Sequence, residues 1–243
     1  SKLNKYDVVI IGAGPSGIFC AYELIEKKPE LKILMIEKGR AIENRSCPKR
    51  VTGRCMNCKP CNITTGFAGA GAFSDGKLSL SPDVGGHLPD ILGYDEAVKL
   101  IHESDDIYLK FGADKNVYGV DKQQEIEEIR RRAIKANLKL VECPIRHLGT
   151  EEGYKIYSRI QEYLLAKGVE MEFLTMVNDI IIENGEAKGV VTNKGETIMA
   201  DHIAAGIGRE GSDWFSHICK DHDIETQVGT VDIGVRVEVR DEI

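Results

Sequence analysis

Three glycines, Gly12, Gly14 and Gly17, stand in G-x-G-x-x-G spacing with Ala13, Pro15 and Ser16 among them. That spacing can hold a diphosphate. A glycine turn gathers backbone N–H groups at the start of a helix, where the positive end of the helix dipole favours an anion by roughly 0.3–1 kcal/mol at an exposed terminus. Gly12 permits the tight turn out of a strand, Gly14 lets the backbone approach a pyrophosphate, and Gly17 lets the helix lie close to the sheet. Ala21 keeps the same helix face small. Glu37 follows twenty positions after Gly17. An acid at that place accepts hydrogen bonds from ribose hydroxyls and repels a 2′-phosphate, so NAD and FAD both fit and NADP does not.

A second group of reactive residues is Cys47, Cys55, Cys58 and Cys61, spaced C-x7-C-x2-C-x2-C. The triplet C-x2-C-x2-C matches the first three ligands of a bacterial iron–sulfur run, and Cys47-Pro48 matches the cysteine-proline of its fourth in a different order. Four thiolates also suit tetrahedral zinc. Cys58 and Cys61 could equally be a redox dithiol, its thiolates favoured by Lys49, Arg50 and Arg54, and a reduced loop without metal is the remaining reading. Cys20, Cys143 and Cys219 fall at helix or strand positions and read as core. Among the histidines His147, in the Arg-His-Leu-Gly-Thr turn, is the one placed for chemistry, with a structural role as its plain alternative. No Ser-His-Asp order, HExxH or P-loop occurs, which leaves hydrolase and NTPase chemistry without support.

These residues need elements to position them. The apolar run Val8 to Ile11 predicts a strand buried on both faces, Pro15 to Lys27 a helix, and Ile33 to Ile36 a second buried strand ending on Glu37. Lys38 to Thr65 reads as loop. Gly66 to Leu80, with Gly66, Gly69, Gly71 and Gly76, reads as a second backbone wrap around a ligand. From Asp83 to Arg146 the pattern is a helical excursion. It holds one helix over Asp95 to Phe111 and another over Gln123 to Asn137, whose buried stripe would be Ile126, Ile129, Ala133 and Ile134. Arg130, Arg131 and Arg132 form its solvated face, paired with upstream glutamates, and Leu138 to Cys143 reads as a strand.

The α/β pattern then resumes. Thr150 is the expected N-cap of a helix stopped by Gly168, and Val169 to Phe173 alternates like a strand with one wet face. Val177 to Glu183 and Ala187 to Thr192 flank Asn184-Gly185, the dipeptide preferred by a type I′ hairpin. Thr197 to Ala200 completes a meander, His202 to Gly206 gives a further strand, and Asp213 to Cys219 a helix with Trp214 as a packing residue. Val231 to Val239 alternates like a strand with no partner in sight, which implies further chain.

Composition bounds the function. The 243 residues are 42% hydrophobic and 29% charged, ordinary for a globular protein. A formal net charge of −7 argues against non-specific binding to nucleic acid or an anionic membrane. No apolar run has the length of a membrane span, and SKLNKYDVV runs into the first strand without a signal peptide, so the expected location is cytoplasmic.

The order Gly12-x-Gly14-x-x-Gly17-x-x-x-Ala21, Glu37-Lys38-Gly39, glycine-rich wrap, β-meander and Ala204-Ala205-Gly206 resembles that of two-dinucleotide-binding-domain flavoproteins. More narrowly, GRCMNCKPCNITTGFAGAGAFSDGKLSL and GIGREGSDWF resemble FAD-dependent, NAD(FAD)-utilizing dehydrogenases, over nearly the whole chain. The resemblance implies an α/β, Rossmann-like FAD-binding domain with a parallel sheet, a β-meander and a helical excursion, the second (substrate) domain being largely absent. It implies FAD as cofactor, with NAD(P)H a candidate electron donor and an unidentified small-molecule substrate. Gly12 to Gly17 would bind the pyrophosphate, Glu37 with Lys38 beside it the adenosine ribose, and the backbone of Val177 the adenine. Arg45, Ala72, Phe73, Ser74 and Gly206 would line the cofactor, with Gly76 and Lys77 nearest the isoalloxazine. The domain boundaries expected are 1–82 and 147–228 for the two parts of the FAD domain, 83–146 for the excursion and 229–243 for the start of a further domain. A late Gly-Asp motif of such proteins has no counterpart after Gly206. The alternatives are an NAD-binding dehydrogenase without flavin and a metal-binding scaffold stabilised by its cofactor.

Overall fold

The structure, a computed structural model, describes residues 5–231, 233–235 and 237–242. The elements run β1 (Lys5–Ile11), α1 (Pro15–Lys27), β2 (Ile33–Ile36), α2 (Lys49–Thr52), β3 (Lys77–Ser79), α3 (Leu88–Leu92), α4 (Tyr94–Lys110), α5 (Gln123–Lys135) and β4 (Ile145–His147). They continue with α6 (Thr150–Ala166), β5 (Glu170–Glu172), β6 (Val177–Glu183), β7 (Glu186–Thr192), β8 (Thr197–Ala205) and α7 (Ser212–Asp221). One six-stranded sheet has the order β5-β2-β1-β8-β7-β6, and β3 and β4 form a separate antiparallel pair.

β5, β2, β1 and β8 are parallel, so β1 lies at the centre with Ile10 level with Met35 on one side and Ala204 on the other. Central parallel strands carry apolar residues on both faces, because both faces are covered. Alternate residues feed opposite layers. Ile10, Ile33 and Met35 pack with Ile18 and Ala21 of α1 and with Ile156, Ile160 and Leu164 of α6. Val9, Leu34 and Ile36 pack with Val190, Ile198 and Ile218 on the other side. The hairpin turn is as read: Asn184 and Gly185 have φ of 52° and 76°, the left-handed pair a type I′ turn requires.

Several expectations are corrected. Thr197 to Ala205 is a single strand: its first half pairs antiparallel with β7 while its length runs parallel to β1, so meander and return strand are one element. The N-cap of α6 is Gly149, at φ 76°, and Thr150 is already helical without a side-chain cap. The strand expected over Leu138 to Cys143 is absent; the pairing backbone is Ile145–His147, two residues further on, where Arg146 becomes buried. α5 forms where its periodicity places it but buries no residue, and Ile129 and Ile134 are exposed. Arg130 and Arg131 pair with the upstream Glu127, and Arg130 pairs also with Glu142 downstream. Of the strand expected over 231–239, residues 232 and 236 lie outside the described residues, and the others are irregular and exposed.

The excursion packs on the core through Ile107, Tyr108 and Phe111 of α4, and a buried ion pair joins α4 to β4. Arg146 Nη2 donates to Asp105 Oδ2 at 2.8 Å, Nε donates to Oδ1, and Nη1 donates to the Asp114 carbonyl at 2.7 Å. Among the described residues it is the one ion pair whose side chains are both nearly buried, at 5% and 7% exposure. Among the described residues, no helix is long and apolar enough to cross a membrane.

Candidate functional site

The glycine turn is built from backbone contacts that leave two of its three glycines no alternative. A Cβ on Gly12, which has φ +95°, would lie 2.2 Å from the Gly206 carbonyl oxygen, and one on Gly17 would lie 2.0 Å from that of Gly12. Gly14 is the opposite case. A Cβ there would meet nothing within 4 Å, so the space beside it is open. Gly14 caps α1 without a side-chain bond, Pro15 occupies the first turn, and no acidic residue of that turn neutralises the dipole. Since the first N–H groups of a helix have no intrahelical acceptor, the open space faces unsatisfied donors. This donor set and this void fit a dinucleotide diphosphate.

Glu37 is buried at the tip of β2, and its carboxylate is oriented by amides: Ala13 N–H donates to Oε2 at 2.9 Å and Gly39 N–H to Oε1 at 3.0 Å. The carboxylate is therefore fastened to the turn itself. Each oxygen retains a lone pair for a sugar hydroxyl. Thr175 N–H donates to the Glu37 carbonyl at 3.2 Å, which brings the chain entering β6, and with it Val177, to the same end of the sheet. Gly206 closes that end from β8, its N–H donating to the Ile11 carbonyl at 2.8 Å.

The wrap is joined to the turn by Ala68 N–H, which donates to the Ala13 carbonyl at 2.7 Å, and it continues as a 3-10 turn, Gly69–Phe73. Ala68 sits at φ 71°, which sequence reading did not anticipate for a non-glycine residue. Arg45 is buried, and donates to the carbonyls of Asn62 (2.9 Å), Ile63 (2.8 Å), Phe67 (2.6 Å) and Gly69 (2.7 Å). The guanidinium thus clamps loop and wrap together. Burial pulls its pKa down to about 10, against the opposing pull of Glu37. Lys38 pairs with Glu210 at 3.1 Å, and Glu210 also accepts from the Thr65 hydroxyl. Burial pushes the Glu210 carboxyl up, but the Thr65 and Lys38 hydrogen bonds outweigh it and hold the carboxyl below its ordinary range.

A cavity of about 430 Å³ opens beside Pro15 and Phe19 of α1, bounded by Gly76, Lys77, Tyr108 and Tyr157 among others. Ala72, Phe73 and Ser74 lead into it, with Ser74 Oγ accepting from Gly76 N–H at 3.2 Å. Lys77 pairs with Asp75 at 3.4 Å, and His147 Nε2 lies 3.0 Å from Asp75. The His147 hydrogen bond and then that of Lys77 hold the Asp75 carboxyl below its ordinary range. The Tyr108 and Tyr157 hydroxyls meet at 3.1 Å, and burial pushes both phenols up. This pair was not legible in the sequence, because Tyr108 lies within the excursion and Tyr157 on α6, 49 positions further on.

The four loop cysteines surround a second, smaller cavity of about 200 Å³. Hydrogen bonds from the amides of Thr64 and then Ile63 hold the Cys61 thiol below its ordinary pKa. Among the described residues, no three His, Cys, Asp or Glu side chains converge closely enough to hold one metal ion.

Comparison with known proteins agrees with the geometry. The Thi4 family matches residues 1–43, and the pyridine nucleotide-disulphide oxidoreductase family matches residues 127–240. L-amino acid deaminase from Proteus vulgaris superposes with a TM-score of 0.52 at 16% identity, over 91% of this chain and 51% of that one. The chain has the FAD-binding Rossmann-like fold. A 3-ketosteroid-delta4-(5alpha)-dehydrogenase from Rhodococcus jostii shares it, with a TM-score of 0.50 at 15% identity over 83% of this chain and 45% of that one. By sequence, an uncharacterized protein of Clostridium beijerinckii is 24% identical over 232 residues, 95% of this chain and 36% of its own length. Thiamine thiazole synthase of Coprinopsis cinerea is 54% identical over 35 residues, 14% of this chain and 11% of its own. The chain thus spans about a third of the Clostridium relative and half of the deaminase.

Proposed function

We propose that this chain is the FAD-binding part of an FAD-dependent oxidoreductase, a cytoplasmic dehydrogenase that takes electrons from NAD(P)H and acts on a small-molecule substrate. The observation that carries the reading is the open space at Gly14, walled by glycines that tolerate no side chain and flanked by a fastened carboxylate. Bound there, the flavin supplies hydride and electron transfer. The chain's own residues do the rest. Gly12, Ala13, Gly14, Pro15, Ser16 and Gly17 form the diphosphate turn, with the amides of Gly14, Ser16 and Gly17 as its donors, since Pro15 has no N–H and those of Gly12 and Ala13 go to the Ile36 carbonyl and Glu37; Glu37 accepts the ribose hydroxyls, with Lys38 alongside; and the Val177 backbone faces the adenine. Ala72, Phe73, Ser74, Gly76, Lys77 and Gly206 line the remainder, and Arg45 holds the wrap in shape.

Residues 1–82 and 147–228 supply every strand of the six-stranded sheet, which supports their reading as two parts of one domain interrupted by 83–146. Residues 229–243 are read as the start of a further domain. The thiazole-synthase match stops within the dinucleotide-binding unit and says nothing of the reaction. Lys77 is assigned a positioning charge: a cation near the flavin stabilises its reduced, anionic form. The test is acid release of the bound chromophore, expected to be FAD, followed by potentiometry of Lys77→Ala, expected to lower the flavin potential. A colourless protein that binds NAD alone, or an unchanged potential, contradicts the respective assignments.

A further inference from the structure

The loop that carries Cys47, Cys55, Cys58 and Cys61 is closed by contacts placed beside the cysteines themselves. Asn62 Nδ2 donates to the Ser46 carbonyl at 2.8 Å, which closes the loop between the sequence neighbours of Cys61 and Cys47. Arg45 fixes the same junction through the Asn62 and Ile63 carbonyls. Between Cys55 and Cys58 the chain turns through Asn57 at φ 51°, a left-handed residue. All four line a single void of about 200 Å³, with Pro48 and Ile63 in its wall. None is in a disulfide.

The size of that void separates the candidate occupants. A single zinc draws four sulfurs in at about 2.3 Å and leaves no space among them. All four cysteines line a cavity of about 200 Å³, room that a single zinc among them would not need. A polynuclear cluster held by four cysteine thiolates needs that wider spread. Charge agrees: residues 46–61 contain Lys49, Arg50, Arg54 and Lys59 and no acid, in a chain whose net charge is −7. Four thiolates around an iron–sulfur core leave a net negative charge, which such neighbours stabilise.

We propose that Cys47, Cys55, Cys58 and Cys61 hold a four-iron iron–sulfur cluster. The site adjoins the wrap, since Arg45 and Arg50 both lie over the Phe73 ring, at 4.9 and 5.1 Å from its centroid.

The test uses the full-length protein, purified without oxygen and incubated with ferrous iron and sulfide, with iron, acid-labile sulfide and released flavin measured on one sample. About four iron and four sulfide per chain are expected. Cys55→Ser, Cys58→Ser and Cys61→Ser should each lose at least fivefold of the iron, with flavin content and circular dichroism unchanged. Cys20→Ser, on α1, should retain it. Stoichiometric zinc in place of iron, a Cys58–Cys61 disulfide with no iron bound, or serine variants that keep their iron would each overturn the proposal. Flavin is counted separately, so loss of flavin with the cluster intact would contradict the oxidoreductase reading alone.

Discussion

The unit β1–α1–β2 and the excursion at 83–146 are both built from well-formed secondary structure, yet they are held in opposite ways. In the first, backbone meets backbone: a Cβ on Gly12 would strike the Gly206 carbonyl and one on Gly17 that of Gly12. In the second, side chains do the holding: α4 packs Ile107, Tyr108 and Phe111 into the core, the Arg146–Asp105 pair joins α4 to β4, and α5 buries nothing. The difference is one of means. The turn is set by glycines that admit no Cβ, whereas the excursion is held by side-chain packing and a charged pair, with one helix face left uncovered.

Substitutions can break that comparison. The largest loss is expected for Asp105→Ala, which leaves the Arg146 guanidinium buried without its partner: about 3–5 kcal/mol in urea unfolding. Asp105→Leu with Arg146→Met should recover most of it, because a buried pair is replaceable by apolar packing. Gly17→Ala comes next, at about 1–3 kcal/mol, since its methyl group would overlap the Gly12 carbonyl. Glu37→Ala strands the Ala13 and Gly39 amides at about 1–3 kcal/mol and should release flavin as well. Ile129→Asn and Ile134→Asn on α5 should shift stability by no more than about 0.5 kcal/mol; a larger loss would show that this face is covered. The smallest effect concerns Asp75, whose carboxyl is stabilised in its charged form. Its contribution is present above the ordinary carboxylate range and disappears as pH falls through the depressed value. His147→Ala should raise the Asp75 titration observed by NMR, and an unmoved titration would remove the His147 hydrogen bond as its cause.

The same contrast explains what the sequence disclosed. β1, α1, β2 and the Asn184-Gly185 hairpin were legible because period, glycine placement and turn chemistry are local signals. Thr197 to Ala205 reads as two elements because Asp201 and His202, both exposed, interrupt its apolar pattern near the middle of the strand. α5 was assigned a buried stripe because amphipathicity reports that a face is apolar, not that anything covers it. Arg45 was read as a cofactor contact from its place in a motif, and only coordinates could reveal its four carbonyl partners. The Tyr108–Tyr157 pair and the Glu210 bridge to Lys38 and Thr65 join distant segments and leave no local trace.

The central claim is that the space beside Gly14 is a diphosphate cradle kept empty of side chains for its ligand. Gly14→Val tests it directly, with FAD per chain and apoprotein unfolding measured on the same preparation. The account predicts unfolding within about 2 kcal/mol of the parent chain, because the added Cβ meets no protein atom within 4 Å and the remaining cost is that of a poorer helix cap, together with at least a tenfold loss of bound FAD. A variant that binds FAD as fully as the parent would contradict it.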